Sequence, residues 1–581
     1  MPSPRAAVAA VFVVCLLLAS QISQAQSATT LDAETGNDTP ACSGLSDPLG
    51  NHTYCTGNLI GFSTASTNTH TQTQLVDAIA GHMSTLPLST WLPAGPSTKF
   101  IAPYQPWFCT AGGGSGPYNG SPLQFCNIPS SGGHEVVGYD ESTAQVVAAQ
   151  HNQMVSLGYW AVSPDWYGIN QAHTFLNLTV QAEAADLSAR SGYPLKLLIM
   201  IDQGAILSGT QTLNGCPQDY NNETGCITQN LEADIDYIDQ NWAENPYYAQ
   251  DSTSGANLVS VFIDECAWPS IHADCPGQQT NGSTDWDSIW QSVTQHTSIY
   301  KTPMVFVKEY GSFDTNADPN PFDTSYFSGA YAWPQIAGPN ASGQYYVDSN
   351  NGGWTFPAIP SVAGDCSGQN VPGCMQFYWN QTASPTGNGT YQYLVSFYND
   401  AQGSHSSKIV FGEILKGFDN SNAYTWHSPE KIIAQQCGQV LVYSANATNT
   451  AWGLGNPPRY VQTPTWNDYE EGTEVETGVD NCWRVQNASY DRGNDRLTWQ
   501  LTAVSGQASY ADLSTVNGYT VWAVTNHAST NPILQFVTNV SKETTYLNNV
   551  STLIHGSFSQ LYVEMVGMPL ILNQMSNAAN Y

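Results

Sequence analysis

Positive charge is what this sequence lacks most. The 581-residue chain carries 14 Lys and Arg against 46 Asp and Glu, a formal net charge of −32 at pH 7. Charged residues make up only 10% of it, against roughly 25% in an ordinary soluble domain. The acidity therefore comes from missing bases, not surplus acids. So few cations do not line a groove for a phosphate backbone, which argues against nucleic acid as a partner. Anionic membrane surfaces are disfavoured for the same reason. Past the first 25 residues no apolar run approaches the about 20 residues that a membrane-spanning helix needs. There is no Cys-x-x-Cys, no His-x3-His grouping and no EF-hand spacing, so no metal or other cofactor is expected. No Gly-x-Gly-x-x-Gly follows a strand, and no Gly-x-Ser-x-Gly elbow is present, which argues against a dinucleotide-binding sheet and a serine hydrolase. What is present, 41% hydrophobic and 11% aromatic residues, excludes disorder over most of the length.

The N-terminus reads as an export signal, residues 1–25. Arg5 precedes an apolar stretch, Ala6 to Ala19, and Ser23-Gln24-Ala25 supplies a small-x-small cleavage pattern. The cysteines agree with a secreted, extracellular protein. Without Cys15 of the signal, twelve of the 13 cysteines remain, an even number. Short loop closure favours sequential pairs: Cys42–Cys55, Cys109–Cys126, Cys216–Cys226, Cys266–Cys275, Cys366–Cys374 and Cys437–Cys482. Disulfides holding surface loops are the expected use of cysteine in that compartment. Thirteen Asn-x-Ser/Thr sites, Asn119, Asn177 and Asn388 among them, are compatible with a glycoprotein.

Length alone suggests three or four domains at about 150 residues each, unless one large barrel absorbs several. Residues 26–98, rich in Ser, Thr, Asn and Gly, read as an N-terminal extension on the next domain, with one helix around Gln74–Leu86. Over 99–480, short apolar runs alternate with helical patterns. Eight strands are predicted: Phe100–Trp107, Tyr159–Ser163, Leu197–Ile201, Leu258–Ile263, Met304–Val307, Gly329–Trp333, Ile409–Ile414 and Val461–Trp466. Helical spacing is clearest in Ser142–Leu157, where Ala144, Val147, Ala148, Met154 and Val155 fall on one face. Eight such units predict an α/β fold, a (β/α)8 TIM barrel with long insertions. Residues 481–581 carry short alternating runs between Asn, Gly, Ser and Thr turns. They predict a C-terminal all-β sandwich of immunoglobulin or fibronectin type III kind.

In such a barrel the chemistry gathers at the C-terminal ends of the strands. Those ends carry Tyr104 and Trp107, then Asp165-Trp166-Tyr167, Asp202, Asp264-Glu265, Glu309, Trp333 and Asn467-Asp468, with Glu471 shortly after. Carboxylates and aromatics recur together, almost without cations. Aromatic rings stack on pyranose faces, and carboxylates supply acid and base for glycosidic cleavage. A single acid after a strand is equally a helix N-cap; recurrence at strand after strand is what points to a site.

Asp468 and Glu471 stand apart. In a helical turn, residues three apart share a face with Cβ atoms about 5–6 Å apart. Two carboxyls that close repel when both are ionised, so one is raised in pKa and can donate a proton while the other accepts. An acidic first helical turn stabilised by the helix dipole explains the same residues, together with Glu470 and Glu474. Spacing alone leaves both readings open.

The segment Thr465-Trp-Asn-Asp-Tyr-Glu-Glu-Gly-Thr-Glu-Val-Glu476 resembles Asn-Glu-Trp-His-Glu-Gly-Thr-Gln-Ile-Glu of glycoside hydrolase family 99. It also resembles Thr-Trp-Asn-Asp-Tyr-Gly-Glu-Ser of family 71. Ala102-Pro-Tyr-Gln-Pro-Trp-Phe108, Gly138-Tyr-Asp-Glu-Ser142, Ser163-Pro-Asp-Trp-Tyr-Gly168 and Lys416-Gly-Phe-Asp419 are similar in order, so the resemblance spans about residues 99–476. Family 99 comprises endo-α-mannosidases and endo-α-mannanases, family 71 α-1,3-glucanases. The resemblance implies Asp468 as base and Glu471 as general acid. The base position is Asp, as in family 71, where family 99 has Glu and uses it to deprotonate the substrate 2-hydroxyl. Glu470 replaces the His or Gly of the two families.

The expectation is a secreted glycoside hydrolase acting on an α-linked polysaccharide or oligosaccharide, a glucan or mannan. Asp468 and Glu471 are its catalytic pair. Tyr104, Trp107, Asp165, Trp166, Tyr167, Asp264, Glu265, Glu309, Trp333 and Asn467 are its pocket residues. The rival is a carbohydrate-binding or adhesion protein that kept the barrel without turnover.

Overall fold

The computed structural model describes residues 83–93, 95, 97–106, 141–169, 174–202, 205, 223–263, 285–310, 320–333, 375–378, 390–403, 405–417, 430–433, 436–453, 458–468, 473–476, 478–505, 508, 511–524 and 534–581. Its centre is a closed parallel barrel. The strands are β1 (Lys99–Tyr104), β2 (Tyr159–Trp166), β3 (Lys196–Leu197) and β4 (Met200–Asp202), then β5 (Asn257–Phe262), β6 (Met304–Glu309) and β7 (Gly329–Tyr331). A small outlying pair, β8 (Met375–Tyr378) and β10 (Glu430–Ile433), lies in the connections around β9 (Ile409–Glu413). The last barrel strand is β11 (Tyr460–Gln462).

The order β1-β11-β9-β7-β6-β5-β4-β2 closes on itself because β1 pairs with both β11 and β2. β3 is a short start to the position β4 continues, paired on the same strand β2. All eight predicted strands are therefore present, and the TIM-barrel expectation holds. Helices α1 (Ala144–Leu157), α2 (Thr174–Ala189), α3 (Glu223–Ile238), α4 (Trp286–Thr297), α5 (Thr390–Gln402) and α6 (Gln439–Gly453) follow individual strands. Among the described residues no helix lies between β6 and β7, nor between β11 and Trp483.

Alternation along each strand divides two cores. Ile101, Ala161, Leu198, Met200, Leu258, Val307, Tyr331, Ile409, Phe411 and Tyr460 fill the barrel interior. Phe100, Ala102, Val162, Ile201, Val259, Val261, Phe306 and Val461 face the helices instead. Helix boundaries follow local chemistry. The Asp285 side chain caps α4 by accepting from the Ser288 N–H. Gly158 ends α1 at φ +88°, a conformation glycine adopts without a Cβ penalty. The predicted face of α1 is shifted: Val146, Val147, Gln150, His151, Met154 and Leu157 are the buried residues.

Of the expected helix at Gln74–Leu86, residues 83–86 are not helical; the rest lies outside the described residues. Met83 instead bridges to Leu572, the Ser84 N–H donates to the Ile571 carbonyl at 2.7 Å, and Leu88, Trp91 and Leu92 join the barrel's outer core.

The C-terminal part is two antiparallel sheets. One holds β12 (Trp483–Asp491), β13 (Arg496–Ala503) and β16 (Tyr546–Asn548). The other holds β15 (Leu534–Ser541), β14 (Val516–Val524), β17 (Gln560–Gly567) and β18 (Gln574–Met575) in that order, with β19 (Ala579–Asn580) also on β17. They share a core of Val485, Leu497 and Trp499 against Tyr519, Val521, Leu561 and Val563. The all-β expectation holds; nothing among the described residues is specific to an immunoglobulin fold. This part is fastened to the barrel. Leu570, Ile571 and Val479 belong to the barrel's outer core. The predicted Cys437–Cys482 disulfide joins the short turn before α6 to the start of the sheets. Cys226 is also disulfide-bonded; the other predicted pairs involve cysteines outside the described residues.

Candidate active site

Continuing the inward alternation of each strand to its C-terminal end gives a ring of polar residues. Ala161 leads to Asp165, Met200 to Asp202, Val307 to Glu309 and Phe411 to Glu413, two residues at a time. All four carboxyl groups are buried: Asp165 at 4% exposure, Asp202 at 6%, Glu309 at 5% and Glu413 at 0%. Between them the same alternation places Phe262, at the end of β5, and Trp333, just past β7. Their rings pack at 5.0 Å. Tyr331 lies beneath, its hydroxyl donating to the Val261 carbonyl at 3.0 Å.

Glu413 was not among the predicted site residues. Neither of its carboxyl oxygens has a hydrogen-bond partner among the described residues. Burial, and secondarily the charge of Glu309 across β7, pushes its carboxyl well above the usual carboxylate range. Its protonated form is thus favoured relative to that of an exposed glutamate. The signal was present in Ile409-Val-Phe-Gly-Glu413, whose alternation puts residue 413 on the face of 409 and 411.

Above this ring stands the loop after β11. The Asn467 Oδ1 accepts from the Gln105 N–H at 2.8 Å, and its Nδ2 donates to the Gln105 carbonyl at 3.1 Å and to Glu141. Asn467, predicted to touch substrate, is fully buried and ties the end of β1 to this loop. The tie sets Asp468 beside Gln105, whose Nε2 donates to Asp468 Oδ2 at 3.4 Å. The Asp468 N–H donates to Thr465 Oγ1 at 2.9 Å. The Thr473 N–H donates to the Asp468 carbonyl, and the Thr465 N–H to the Thr473 carbonyl, both at 3.2 Å. Asp468 and Thr473 are therefore held together, and residues 465–468 and 473–476 are not helical. Glu474, assigned above to the helix-dipole alternative, is buried in an ion pair with Lys416. Glu471, the other half of the predicted pair, lies outside the described residues, as do Trp107, Asp264 and Glu265.

Two predicted pocket aromatics point elsewhere. Trp166 follows Asp165 directly, so the two side chains take opposite faces of β2. Its indole is buried in the helical layer, donating to Asn177 Oδ1 at 2.7 Å and packing on Tyr237 and Trp242. Tyr104 likewise faces α1: its hydroxyl donates to Gln150 Oε1 at 2.9 Å, and the Gln150 Nε2 donates to Glu476 Oε1 at 2.9 Å. This chain of bonds braces the segment after Asp468 from behind. Tyr167 is half-buried in the loop after β2. That loop is held by Asp234 of α3, whose Oδ1 accepts from the Ile169 N–H at 2.8 Å. Gly168 is required there, with φ +77° and space for an added Cβ only 2.6 Å from Asp234 Oδ2. Burial pushes the Asp234 carboxyl up to about 7.

Among the described residues no group of three or more His, Cys, Asp and Glu is arranged to hold a metal ion. The mouth of the barrel thus holds a ring of buried carboxyl groups beside Phe262 and Trp333, with Glu413 raised well above the usual carboxylate range. That arrangement can give and take protons on a polar, uncharged ligand.

No protein-family model and no curated protein matches the chain. Among solved structures it is similar to the GH99 endo-α-mannosidase from Bacteroides thetaiotaomicron, at 12% identity and a TM-score of 0.34 over 65% of this chain and 87% of that one. It is also similar to a glycoside hydrolase-like protein, at 9% identity and a TM-score of 0.36 over 65% of this chain and 86% of that one. A third is the β-glucosidase from Trichoderma harzianum, at 11% identity and a TM-score of 0.33 over 74% of this chain and 96% of that one.

Proposed function

We propose that this chain is a secreted glycoside hydrolase that cleaves an α-linked polysaccharide, with Asp468 as base and Glu471 as general acid. One observation carries the reading. Asp165, Asp202, Glu309 and Glu413 converge from four strand ends on the mouth of a closed barrel, below the loop that positions Asp468. A neutral sugar offers hydroxyls as donors and acceptors, and a ring of carboxyl groups over Phe262 and Trp333 complements both its polar edge and its apolar face. The resemblance of Thr465–Glu476 to families 99 and 71 supports the division of roles and suggests glucans and mannans as first substrates.

In this scheme Glu471 protonates the leaving glycosidic oxygen. Asp468, restrained by Gln105 and Thr465, draws a proton from the attacking group as positive charge develops at the anomeric carbon. Asp165, Asp202 and Glu309 bind hydroxyls, while Glu413, fully enclosed, backs the ring beside Glu309.

The test is product chromatography of wild type, Asp468→Asn and Glu471→Gln on soluble α-glucans and α-mannans. Each variant is expected to lose at least about a hundredfold in turnover, the usual contribution of a general acid or base. Wild-type-like turnover in both would remove the assignment. Binding without product from any of the three proteins would favour the adhesion alternative.

A further inference from the structure

The five-stranded sheet of the C-terminal part has one face in the shared core and one turned away from it. On the outward face the strand registers place Phe536 of β15 opposite Trp522 of β14, and Trp522 opposite Tyr562 of β17. Three aromatic side chains thus form a single cross-strand row, whose Tyr562 end is buried with Met575 and Ala578 packed against it. Phe536 is 50% exposed, an unusual loss for a large apolar ring. Its ring lies 6.0 Å from that of Trp522 at an interplanar angle of 81°, so the two make a floor and a wall.

The row is held rigidly. The Trp522 indole N–H donates to Glu564 Oε2 at 2.7 Å, and Asn573 Nδ2 donates to Glu564 Oε1 at 2.7 Å. The Tyr562 hydroxyl donates to Gln560 Oε1 at 3.0 Å. One register step along, Thr520 Oγ1 donates to Asn539 Oδ1 at 3.0 Å, beside Glu564 on the next strand. Of these groups Tyr562, Thr520 and Glu564 are buried, so the face offers solvent the Phe536 ring, part of the Trp522 indole and the Asn539 amide.

We infer that this face is a second glycan-binding site, remote from the barrel mouth, which takes a short run of an uncharged pyranoside chain. Dimensions and charge favour that occupant. Two neighbouring strands lie about 5 Å apart and two residues along a strand span about 7 Å, so the accessible patch is below about 100 Å². A stable protein partner needs about 800 Å² on each side, far more than the row offers. None of the residues named on the face is Lys or Arg, which argues against polyanions. Two rings that stack on sugar faces beside an exposed amide, that of Asn539, which donates to and accepts from hydroxyls, fit a pyranoside. A pre-set indole loses little freedom on binding. The inference does not depend on turnover at the barrel.

The test uses the full chain at low temperature. Wild type, Phe536→Ala and Trp522→Ala are mixed with granular α-glucan, crystalline cellulose and chitin, and the retained fraction is measured against concentration. Wild type should be retained by at least one of the three, and each variant about tenfold less. Thermal midpoint and activity on short soluble oligosaccharides should be unchanged, at least in Phe536→Ala, whose ring is half in solvent. Absence of retention by all three probes, equal retention of the variants, or a dimer of the wild type that Phe536→Ala dissociates would each overturn the inference. Retention that depends on the row but comes without any product would leave it standing while removing the glycosidase reading.

Discussion

A carboxyl group enclosed on every side by protein favours its protonated form, because ionising it would place a charge where no water can reach. Glu413 is such a group, and the sign of its effect follows. Its folded-state pKa is raised above the unfolded value, so the stability it contributes is complete below the usual carboxylate range and is lost as pH rises toward the folded value. Glu413→Gln, which keeps the shape without the titration, should therefore flatten the fall in thermal midpoint between pH 5 and 8, read by calorimetry. Parallel slopes for wild type and variant would contradict the assignment. The same residue illustrates what single positions reveal in a sequence. Asp165 and Trp166 both look like pocket residues when read as a motif. Adjacent strand residues face opposite ways, however, and only the register decides which of them looks inward. Tyr104 and Asn467 were legible as important, not as braces; their roles come from Gln150, Gln105 and Glu141, partners 46, 362 and 326 positions away along the chain.

At the level of elements, the eight strands were readable because each is a short apolar run between longer segments. The face of α1 was less so. Its buried side includes Gln150 and His151, because the helix carries the Tyr104–Gln150–Glu476 relay and the contact of His151 Nδ1 with Asp186 at 2.8 Å. A polar residue that is buried for a hydrogen bond defeats any reading by hydrophobic period. The segment after β11 was read as one of two things, and its flanks are not helical and are anchored by the buried Lys416–Glu474 pair. Removing one member of a buried pair strands the other charge, at a cost of about 3–5 kcal/mol. Lys416→Met should thus lower stability by that amount in urea unfolding, and Lys416→Met with Glu474→Leu should recover most of it. A single variant as stable as wild type would show that the pair does not hold the loop.

Over the whole molecule the charge imbalance and the buried acids act together. Burial raises the carboxyls of Glu183 and Glu413 well above their usual range and that of Asp234 to about 7. For Asp234 the window runs from about 3.8 to about 7, across which stability declines as pH increases. His151 works in the other direction: burial lowers its pKa, so its contribution is lost as pH falls below the ordinary histidine value of 6.5. The raised acids, Asp239 among them, outnumber the one lowered histidine and, with self-repulsion of a chain at −32 growing as carboxyls ionise, place the expected stability maximum on the acidic side of neutral. Thermal midpoints from pH 4 to 9 would check this, and a maximum above pH 8 would contradict it. The lack of Lys and Arg was visible at once; that several acids are raised by burial was not, since burial belongs to the fold.

Leu570 and Ile571 sit among the barrel's own core residues, and Cys482 is bonded back to Cys437. The last hundred residues are consequently not a detachable accessory. A gene shortened before residue 570 would encode a barrel with a hole in its wall, and recombination that exchanged this part for another would have to bring matching side chains with it. The barrel and the sheets share one core and one covalent tie.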